Sequence, residues 1–364
     1  MNPLKKKYVI IISVFVLLLY AFIAAAPVAE ETVLVSRWIK SVETNYDEQL
    51  SKDEKTIPFE LGAYFGYVAM DGRFSVNKLK KSYISLSDYY WSEYGARDET
   101  IVVNNPYNEK VFSIEDGYGY PFFLDSKSFI MGAEQNSISL LSTPSSQSPE
   151  TVNIEWTYDF ASPLTCVDAA AGFLLAGTLD GTIELIDSDG RRVFFSEPSG
   201  SRIAAVYGCA LSKDGKKIAV VSGLDKQRFV LIEQFGVTWR ITFHEFLEEG
   251  LRRNVYVEFV DNDNKIVFER ESGLGIYDIK SRISYKIPLD GEITALDDSG
   301  DSEILFLITS IDGGYKKNLM AVKFPDTVII EAPFNSESGF LTRKDNNLFV
   351  GGKTTLASFS VEKK

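Results

Sequence analysis

The chain has 364 residues, of which 45% are hydrophobic, 13% aromatic and 24% charged. These fractions are typical of a folding chain and exclude a disordered or collagen-like protein. A formal net charge of −13 argues against a binder of duplex nucleic acid, whose phosphates call for a basic surface. With two Cys and one His, the chain lacks the ligands for zinc ribbons, haem attachment and multi-histidine metal sites. We therefore expect neither a metal site nor a cofactor.

The first element along the chain is a targeting segment. Lys5–Lys7 precede an uncharged run over residues 8–26, which is long enough to cross a ~30 Å hydrocarbon core as a helix. The lysines before this run and Glu30-Glu31 after it predict a cytoplasmic tail over residues 1–7 and a transmembrane signal-anchor over 8–26, with the remainder outside the cytoplasm. A cleaved signal peptide and a buried core helix are the alternatives.

Residues 27–56 form a linker in which the sequence predicts one short amphipathic helix. Between Thr32 and Lys55, apolar residues recur at steps of three and four, and charged residues fill the positions between them. The apolar positions are Val35, Trp38, Ile39, Val42, Tyr46 and Leu50. Such a helix would serve as a stalk or as a flap packed on the following domain, and a helix that binds a partner is the alternative.

From residue 57 onward the chain consists of short apolar or alternating runs separated by Gly, Asp, Asn and Ser. The clearest unit runs from Leu164 to Glu197. Within it, Asp180-Gly181 is a tight hairpin signal and Asp187–Gly190 marks the next reversal. Four antiparallel strands in about 35 residues is the size of one propeller blade.

This unit repeats along the chain, with turns between its second and third strands spaced 37 to 48 residues apart. The turns lie near Asp98, Gln135, Asp180, Asp225, Gly273, Gly313 and Gly352. The sequence thus predicts an all-β fold with a single β-propeller over residues 57–364. We expect seven four-stranded blades, with six or eight as alternatives. The last unit ends after three strands, so a strand within Ile57–Leu79 is predicted to close the ring.

Two of these units resemble known propeller repeats. Trp156–Phe160, Pro163, Ala176–Gly181 and Ile186–Gly190 are similar to the quinoprotein (PQQ-like) repeat, in which a Trp precedes a strand and a Gly-x-x-Asp-Gly hairpin follows. Ser212–Ala219 resembles the WD40-like repeats of bacterial envelope proteins. The resemblance implies a propeller fold in the bacterial envelope, and it leaves the function open because propellers host enzymes, ligand binders and scaffolds alike.

No motif in the sequence points to an enzyme. Quinone chemistry is disfavoured because Cys166 and Cys209 fall in separate blades and the Trp signature is clear in one blade. His244 is followed by Glu, but Glu248 stands where an H-E-x-x-H motif needs its second His, and no G-x-S-x-G accompanies it.

Two further features have plain structural interpretations. The acidic loops Asp261–Asn264 and Asp297–Asp301 lack the twelve-residue calcium pattern and are expected to be turns. Cys166 and Cys209 lie on predicted first strands of neighbouring blades, where we expect two free thiols, with a disulfide as the alternative.

One candidate interaction surface is an aromatic segment. Tyr89, Tyr90, Trp91 and Tyr94 place four aromatic side chains within six positions. If they are exposed, they would form an anchor for a protein or a glycan. Packing between blades is the competing interpretation, and it is the one we favour.

A second candidate is a polar cluster at the mouth of the central channel. Its members are Arg202, Gln227, Arg228 and Arg240. Several of them could converge near strand ends and attract a carboxylate or phosphate group. Solvated or structurally paired side chains are the alternative.

The sequence favours a non-catalytic scaffold. We expect a single-pass protein of the bacterial inner membrane whose propeller, on the periplasmic side, binds one or more envelope proteins and no nucleic acid. A sensor or binder of a small anionic or glycan ligand at the channel mouth is the alternative.

Overall fold

The structure, a computed structural model, describes residues 8, 12–20, 31–44, 50–52, 54–95, 97–115, 119–124, 126–142, 152–248, 250–271, 273–297, 303–311 and 314–364. They fall into two compact units, one drawn from residues 36–360 and the other from residues 1–35 and 361–364. Every side-chain contact discussed below lies within the larger unit.

The described residues form 31 strands in eight sheets, which we number as blades in chain order. The first strand of the chain, β1 (Thr32–Ser41), belongs to the last blade. Blade 1 has three strands, β2 (Thr56–Leu61), β3 (Tyr64–Ala69) and β4 (Phe74–Lys78). Blade 2 has β5 (Tyr83–Leu86), β6 (Trp91–Tyr94), β7 (Thr100–Asn104) and β8 (Lys110–Glu115). Blade 3 has β9 (Gly119–Leu124), β10 (Lys127–Gly132), β11 (Ser137–Leu141) and β12 (Ile154–Asp159).

The remaining blades follow the same up-and-down order. Blade 4 has β13 (Leu164–Ala170), β14 (Phe173–Thr178), β15 (Ile183–Ile186) and β16 (Arg192–Ser196). Blade 5 has β17 (Val206–Leu211), β18 (Lys217–Ser222), β19 (Arg228–Phe235) and β20 (Thr238–Phe246). Blade 6 has β21 (Val257–Val260), β22 (Lys265–Arg270), β23 (Gly273–Asp278) and β24 (Ile283–Pro288). Blade 7 has β25 (Glu292–Asp297), β26 (Ile304–Ile311), β27 (Lys316–Lys323) and β28 (Thr327–Asn335). Blade 8 has β29 (Gly339–Lys344), β30 (Asn347–Gly352), β31 (Thr355–Lys363) and, outermost, β1.

The all-β single propeller is confirmed, and the number of blades is eight where seven were predicted. The segment over Ile57–Leu79 was predicted to supply the closing strand, but it forms blade 1 itself. Blade 1 lacks a fourth strand, so its turn at Asp71-Gly72 comes only 27 residues before Asp98. This spacing lies below the period of the other turns, and the blade therefore did not stand out as a repeat.

The ring is closed by β1, and the predicted amphipathic helix over 32–55 is wrong. Residues 32–41 are a strand that pairs with β31, while 45–49 and 53 lie outside the described residues. Trp38 packs against Phe349 with ring centroids 6.0 Å apart, and buried Val42 donates its N–H to the Thr354 carbonyl at 2.8 Å. Tertiary pairing at an open sheet edge outweighs the helical spacing of the apolar residues in this segment.

The predicted transmembrane helix over residues 8–26 is also wrong. Helix is described for residue 8 and for residues 12–20, and 9–11 and 21–26 lie outside the described residues. Within the part of the chain that the structure describes, no helix combines the length and the apolar character needed to cross a membrane.

Both faces of a blade are buried against its neighbours, as β19 illustrates. Phe229 and Leu231 face blade 6, where Phe229 stacks on Phe268 with ring centroids 4.1 Å apart. Val230 and Ile232 point the other way and join the core shared with blade 4. Because alternate residues enter two different cores, the middle strands are continuous apolar runs without polar alternation.

Candidate functional site

The predicted aromatic surface over residues 89–94 lies in blade 2, and two of its four side chains pack inward. The ring of Tyr90 lies between Phe112 of its own blade and Phe123 of blade 3, at centroid distances of 6.0 and 5.7 Å. Tyr94 is 5% exposed and stacks on Tyr83 at 5.7 Å. Both rings fill the space between blades.

The other two members of this segment differ from one another. Trp91 packs on Phe65 of blade 1 with centroids 5.1 Å apart, and its indole Nε1 donates to the Asn105 carbonyl at 3.0 Å. Tyr89 is exposed over 56% of its surface. Of the four predicted residues, Tyr89 is therefore the one that presents most of its ring to a partner.

The polar cluster predicted at the channel mouth is distributed over several places in blade 5. Gln227 is buried, donates to the Leu251 carbonyl at 3.0 Å and accepts the Leu251 N–H at 3.1 Å. Arg228 donates its Nε to the Pro198 carbonyl at 2.6 Å, and burial lowers the pKa of its guanidinium. Both side chains hold loops in place.

The two remaining members lie still farther from a common centre. Arg202 is exposed in the loop between β16 and β17, and Arg240 is exposed on β20, the outermost strand of blade 5, opposite Glu233. First strands, not outer strands or loops between blades, line the channel. The structure thus does not bring these four side chains together there.

The largest opening of the described channel region is a cavity of about 430 Å³ at the first strands of blades 4, 5 and 6. It is lined by residues 166–170 of β13, residues 207–211 of β17, residues 254–259 at the start of blade 6, Lys213 and Asp263. A cavity of this size fits a small molecule. None of the predicted site residues lines it.

The charges around this cavity are mainly negative. Among its described lining residues, Asp168, Glu258 and Asp263 oppose Lys213. The Asp263 carboxylate accepts the backbone N–H of Lys213 at 2.8 Å, and Asp263 lies in the left-handed region with φ 61°. The electrostatics therefore favour a neutral or cationic molecule over an anion.

The two cysteines of the chain both line this cavity and both are free thiols. Cys166 of β13 is half-buried, whereas Cys209 of β17 is buried. A hydrogen bond with Cys166 and burial together raise the pKa of the Cys209 thiol well above its ordinary value. The thiols of neighbouring blades thus meet at the wall of the channel.

A second polar contact crosses the same wall. The Asn254 side-chain amide of blade 6 donates to the Thr165 carbonyl of blade 4 at 3.0 Å. Val255 donates its N–H to the Tyr207 carbonyl of blade 5 at 2.9 Å. These bonds join three consecutive blades and fix the rim of the cavity.

An exposed apolar edge lies on the outside of blade 5, formed by β20 and the hairpin that leads into it. We call it the β20 edge; its exposed apolar side chains are Phe235, Val237, Ile241 and Phe246. Val237 is 94% exposed at the hairpin tip, where Gly236 adopts φ 63° and Thr238 Oγ1 donates to the Phe235 carbonyl at 3.0 Å. A rigid turn therefore presents apolar side chains to solvent.

Sequence reasoning missed the β20 edge, although a signal was present. Hairpin tips are normally polar, and the Phe235-Gly236-Val237 triplet places apolar side chains on both sides of the turn glycine. Its histidine, His244, lies exposed on β20 with its ring 5.8 Å from Phe246. Across the described ranges, no group of three or more His, Cys, Asp or Glu side chains is arranged to hold a metal ion.

Comparison with known proteins agrees with the fold. A family model described as "beta-propeller protein" matches residues 1–364. An uncharacterized protein of Treponema pallidum (strain Nichols) is 26% identical over 318 residues, which cover 84% of this chain and 81% of that relative.

Two solved structures are similar at low sequence identity. BamB from Moraxella catarrhalis has a TM-score of 0.59 at 11% identity, covering 90% of this chain and 100% of that chain. The computationally designed Ika8 protein has a TM-score of 0.60 at 15% identity, covering 84% and 96%. At such identities the likeness shows a shared fold and nothing about activity.

Proposed function

The chain belongs to this family of β-propeller proteins, and from that premise we propose that it is a non-catalytic scaffold that binds an envelope protein outside the cytoplasm. The β20 edge carries the proposal. It combines an exposed apolar hairpin tip with an outermost strand whose backbone is not paired on its free side.

The composition of β20 supports a partner that adds a strand. Outer strands normally carry Lys or Pro to block pairing with other chains, as Lys286 and Pro288 do in β24 and Pro333 does in β28. The nine residues of β20 include neither residue type. An extended segment of another protein would pair with its backbone and cover Ile241 and Phe246 with apolar side chains at alternate positions.

The location is proposed from the sequence. Lys5–Lys7 followed by the uncharged run over residues 8–26 is the pattern of an export signal, and the resemblance of Ser212–Ala219 to envelope repeats agrees with it. The net charge of −13 would keep the propeller away from anionic lipid headgroups, so that a protein is the expected partner.

Site-specific photo-crosslinking tests the proposal. A photoreactive amino acid replaces Val237 in the full chain, which carries a tag after Lys364, and crosslinking is done in intact cells. The matched control carries the same group at Tyr315, which is 57% exposed in blade 7. We expect one or two stoichiometric envelope proteins from position 237 and none from position 315.

A substitution series in the same cells separates this edge from the rest of the surface. Phe235→Ser with Val237→Ser should abolish capture while leaving the melting temperature unchanged, because both side chains are exposed. Tyr89→Ser tests the exposed member of the aromatic segment. Capture that survives the double substitution, or the absence of any partner from position 237, would reject the β20 edge as the binding surface.

A second candidate function rests on the channel cavity. Its volume of about 430 Å³ fits a small ligand, and its carboxylates Asp168, Glu258 and Asp263 favour a neutral or cationic one. A thermal-shift screen with matched amines and carboxylates tests this function. A melting temperature raised by amines alone would support it, and an unchanged melting temperature with every compound would exclude it.

A further inference from the structure

The two cysteine sulfurs meet over one glycine. Cys166 pairs directly with Gly177 across β13 and β14, and a Cβ added at Gly177 would lie 2.6 Å from the Cys166 sulfur. The Gly177 N–H donates to the sulfur of Cys209, which lies on the first strand of the next blade. The missing side chain at Gly177 therefore creates the space in which the two thiols form their hydrogen bond.

The two thiols differ in how a reagent can reach them. Cys166 is half-buried and lies on the cavity wall, whereas Cys209 is buried within the core shared by blades 4 and 5. A small molecule in the cavity therefore encounters Cys166 first. Cys209 lies behind it, in hydrogen-bond contact with the sulfur that such a molecule would modify.

We propose that Cys166 and Cys209 form a thiol–disulfide exchange site that accepts small disulfides from the channel cavity. The Cys166 thiolate attacks one sulfur of the incoming disulfide, whose S–S bond breaks and releases the first thiol. The Cys209 thiolate then attacks the Cys166 sulfur of the mixed disulfide and releases the second thiol. The protein loses two electrons and the two thiol protons, and the incoming disulfide is reduced to two thiols.

The product links neighbouring blades. Cys166 and Cys209 are 43 residues apart and lie on strands of separate sheets. A disulfide requires sulfurs about 2.05 Å apart, so the hydrogen-bonded thiols approach further to form it. Since these two strands belong to different sheets, their approach breaks no backbone ladder. A crosslink between residues so far apart in sequence restricts the unfolded chain, and the melting temperature rises.

The charges of the cavity define the class of disulfide. Asp168, Glu258 and Asp263 outnumber Lys213 at the wall, so a cationic disulfide is concentrated there and an anionic one is repelled. Cystamine, hydroxyethyl disulfide and dithiodiglycolate are small disulfides that differ in charge. We expect cystamine to react about tenfold faster than dithiodiglycolate at low ionic strength, with hydroxyethyl disulfide between them.

The experiment follows the reduced, full-length chain with each disulfide by intact-mass spectrometry and thiol titration. We expect the wild type to lose both free thiols and two hydrogen atoms, with no retained adduct, and to melt at a higher temperature. Cys209→Ser should stop at a stable adduct on Cys166. Cys166→Ser should not react while folded, because its remaining thiol is buried.

Three results would overturn the proposal. They are a wild type that retains two adducts, a wild type that stops at the same single adduct as Cys209→Ser, and a folded wild type whose thiols do not react. Because both serine variants differ from the wild type by one atom per site, circular dichroism and melting curves establish that each remains folded. A rate order reversed with charge would contradict the assignment of the substrate class.

Discussion

Asp168 of blade 4 accepts a hydrogen bond from the backbone N–H of Leu211 in blade 5, with 2.7 Å between Oδ2 and N. The same arrangement recurs between blades 7 and 8, where Asp297 accepts the N–H of Arg343 at 3.0 Å and the hydroxyl of Thr342 at 2.6 Å. First strands of neighbouring blades belong to different sheets. A carboxylate from the preceding blade therefore satisfies a backbone donor that no ladder reaches.

Replacing this carboxylate should destabilise the propeller. Asp168→Ala leaves the Leu211 N–H without its acceptor, and we expect a loss of about 1–3 kcal/mol in the free energy of unfolding. Urea unfolding followed by Trp fluorescence measures the loss. Glu155→Ala, at an exposed position of β12, is the control and should change stability by less than about 0.5 kcal/mol. Equal stability of the two variants would show that the inter-blade hydrogen bond contributes nothing.

The blades could be predicted where local signals agree with the fold. In blade 4, the Asp180-Gly181 hairpin lies between two strands whose predicted bounds match the observed ones within a residue, because turn chemistry and apolar runs coincide. The strand over Thr32–Ser41 could not be predicted in this way. Its apolar residues have helical spacing, and its pairing with a strand more than 300 residues later is a non-local effect.

The candidate site was less predictable than the fold. The sequence places Cys166 and Cys209 on first strands of neighbouring blades, but it does not reveal that both sulfurs lie over Gly177. Arg202 and Arg240 are basic residues near strand ends, yet their distance from the channel follows from the position of each strand within its blade. Such positions depend on ring geometry, which no local pattern encodes.

The aromatic segment yields a second prediction, because its members differ in packing. Trp91→Ala removes the ring that packs on Phe65 and the hydrogen bond to Asn105, so we expect a loss of about 3 kcal/mol in the free energy of unfolding. Tyr89→Ser should cost less than about 0.5 kcal/mol. Thermal and urea unfolding measure both values. A Trp91→Ala variant as stable as Tyr89→Ser would mean that the indole does not stabilise blades 1 and 2.

The closing strand yields a third prediction. A variant that lacks residues 1–44 loses β1, and with it the buried Val42 and the contact of Trp38 with Phe349. Burial of these two side chains contributes about 3–5 kcal/mol, and the free edge of β31 would become available for association with other chains. We expect a lower melting temperature and concentration-dependent aggregation, measured by calorimetry and light scattering.

The control for the closing strand is a variant that lacks residues 1–30, which retains β1. It should melt at the temperature of the full chain and scatter no more light. If the variant without residues 1–44 behaved identically, closure of the ring by β1 would not contribute to stability.

The carboxylate of Asp278 yields a prediction about pH. Burial alone would raise the pKa of Asp278, but the N–H of Ser281 at 2.8 Å and Lys265 at 3.5 Å outweigh burial and hold the pKa below its ordinary value. A carboxyl group with a depressed folded-state pKa adds stability above its unfolded pKa of about 3.9. That stability is lost as the pH falls through the folded-state pKa.

Asp278→Asn should therefore be less stable than the wild type at pH 7, by about 1 kcal/mol, because it keeps the shape of the side chain without the charge. The difference should shrink as the pH falls below about 4 and vanish once the wild-type carboxyl is protonated. Urea unfolding at a series of pH values measures it. Asp326→Asn, at an exposed position, is the control and should follow the wild type throughout. A difference between Asp278→Asn and the wild type that stays constant down to acid pH would show that the ionised form of Asp278 is not the source of the stabilisation.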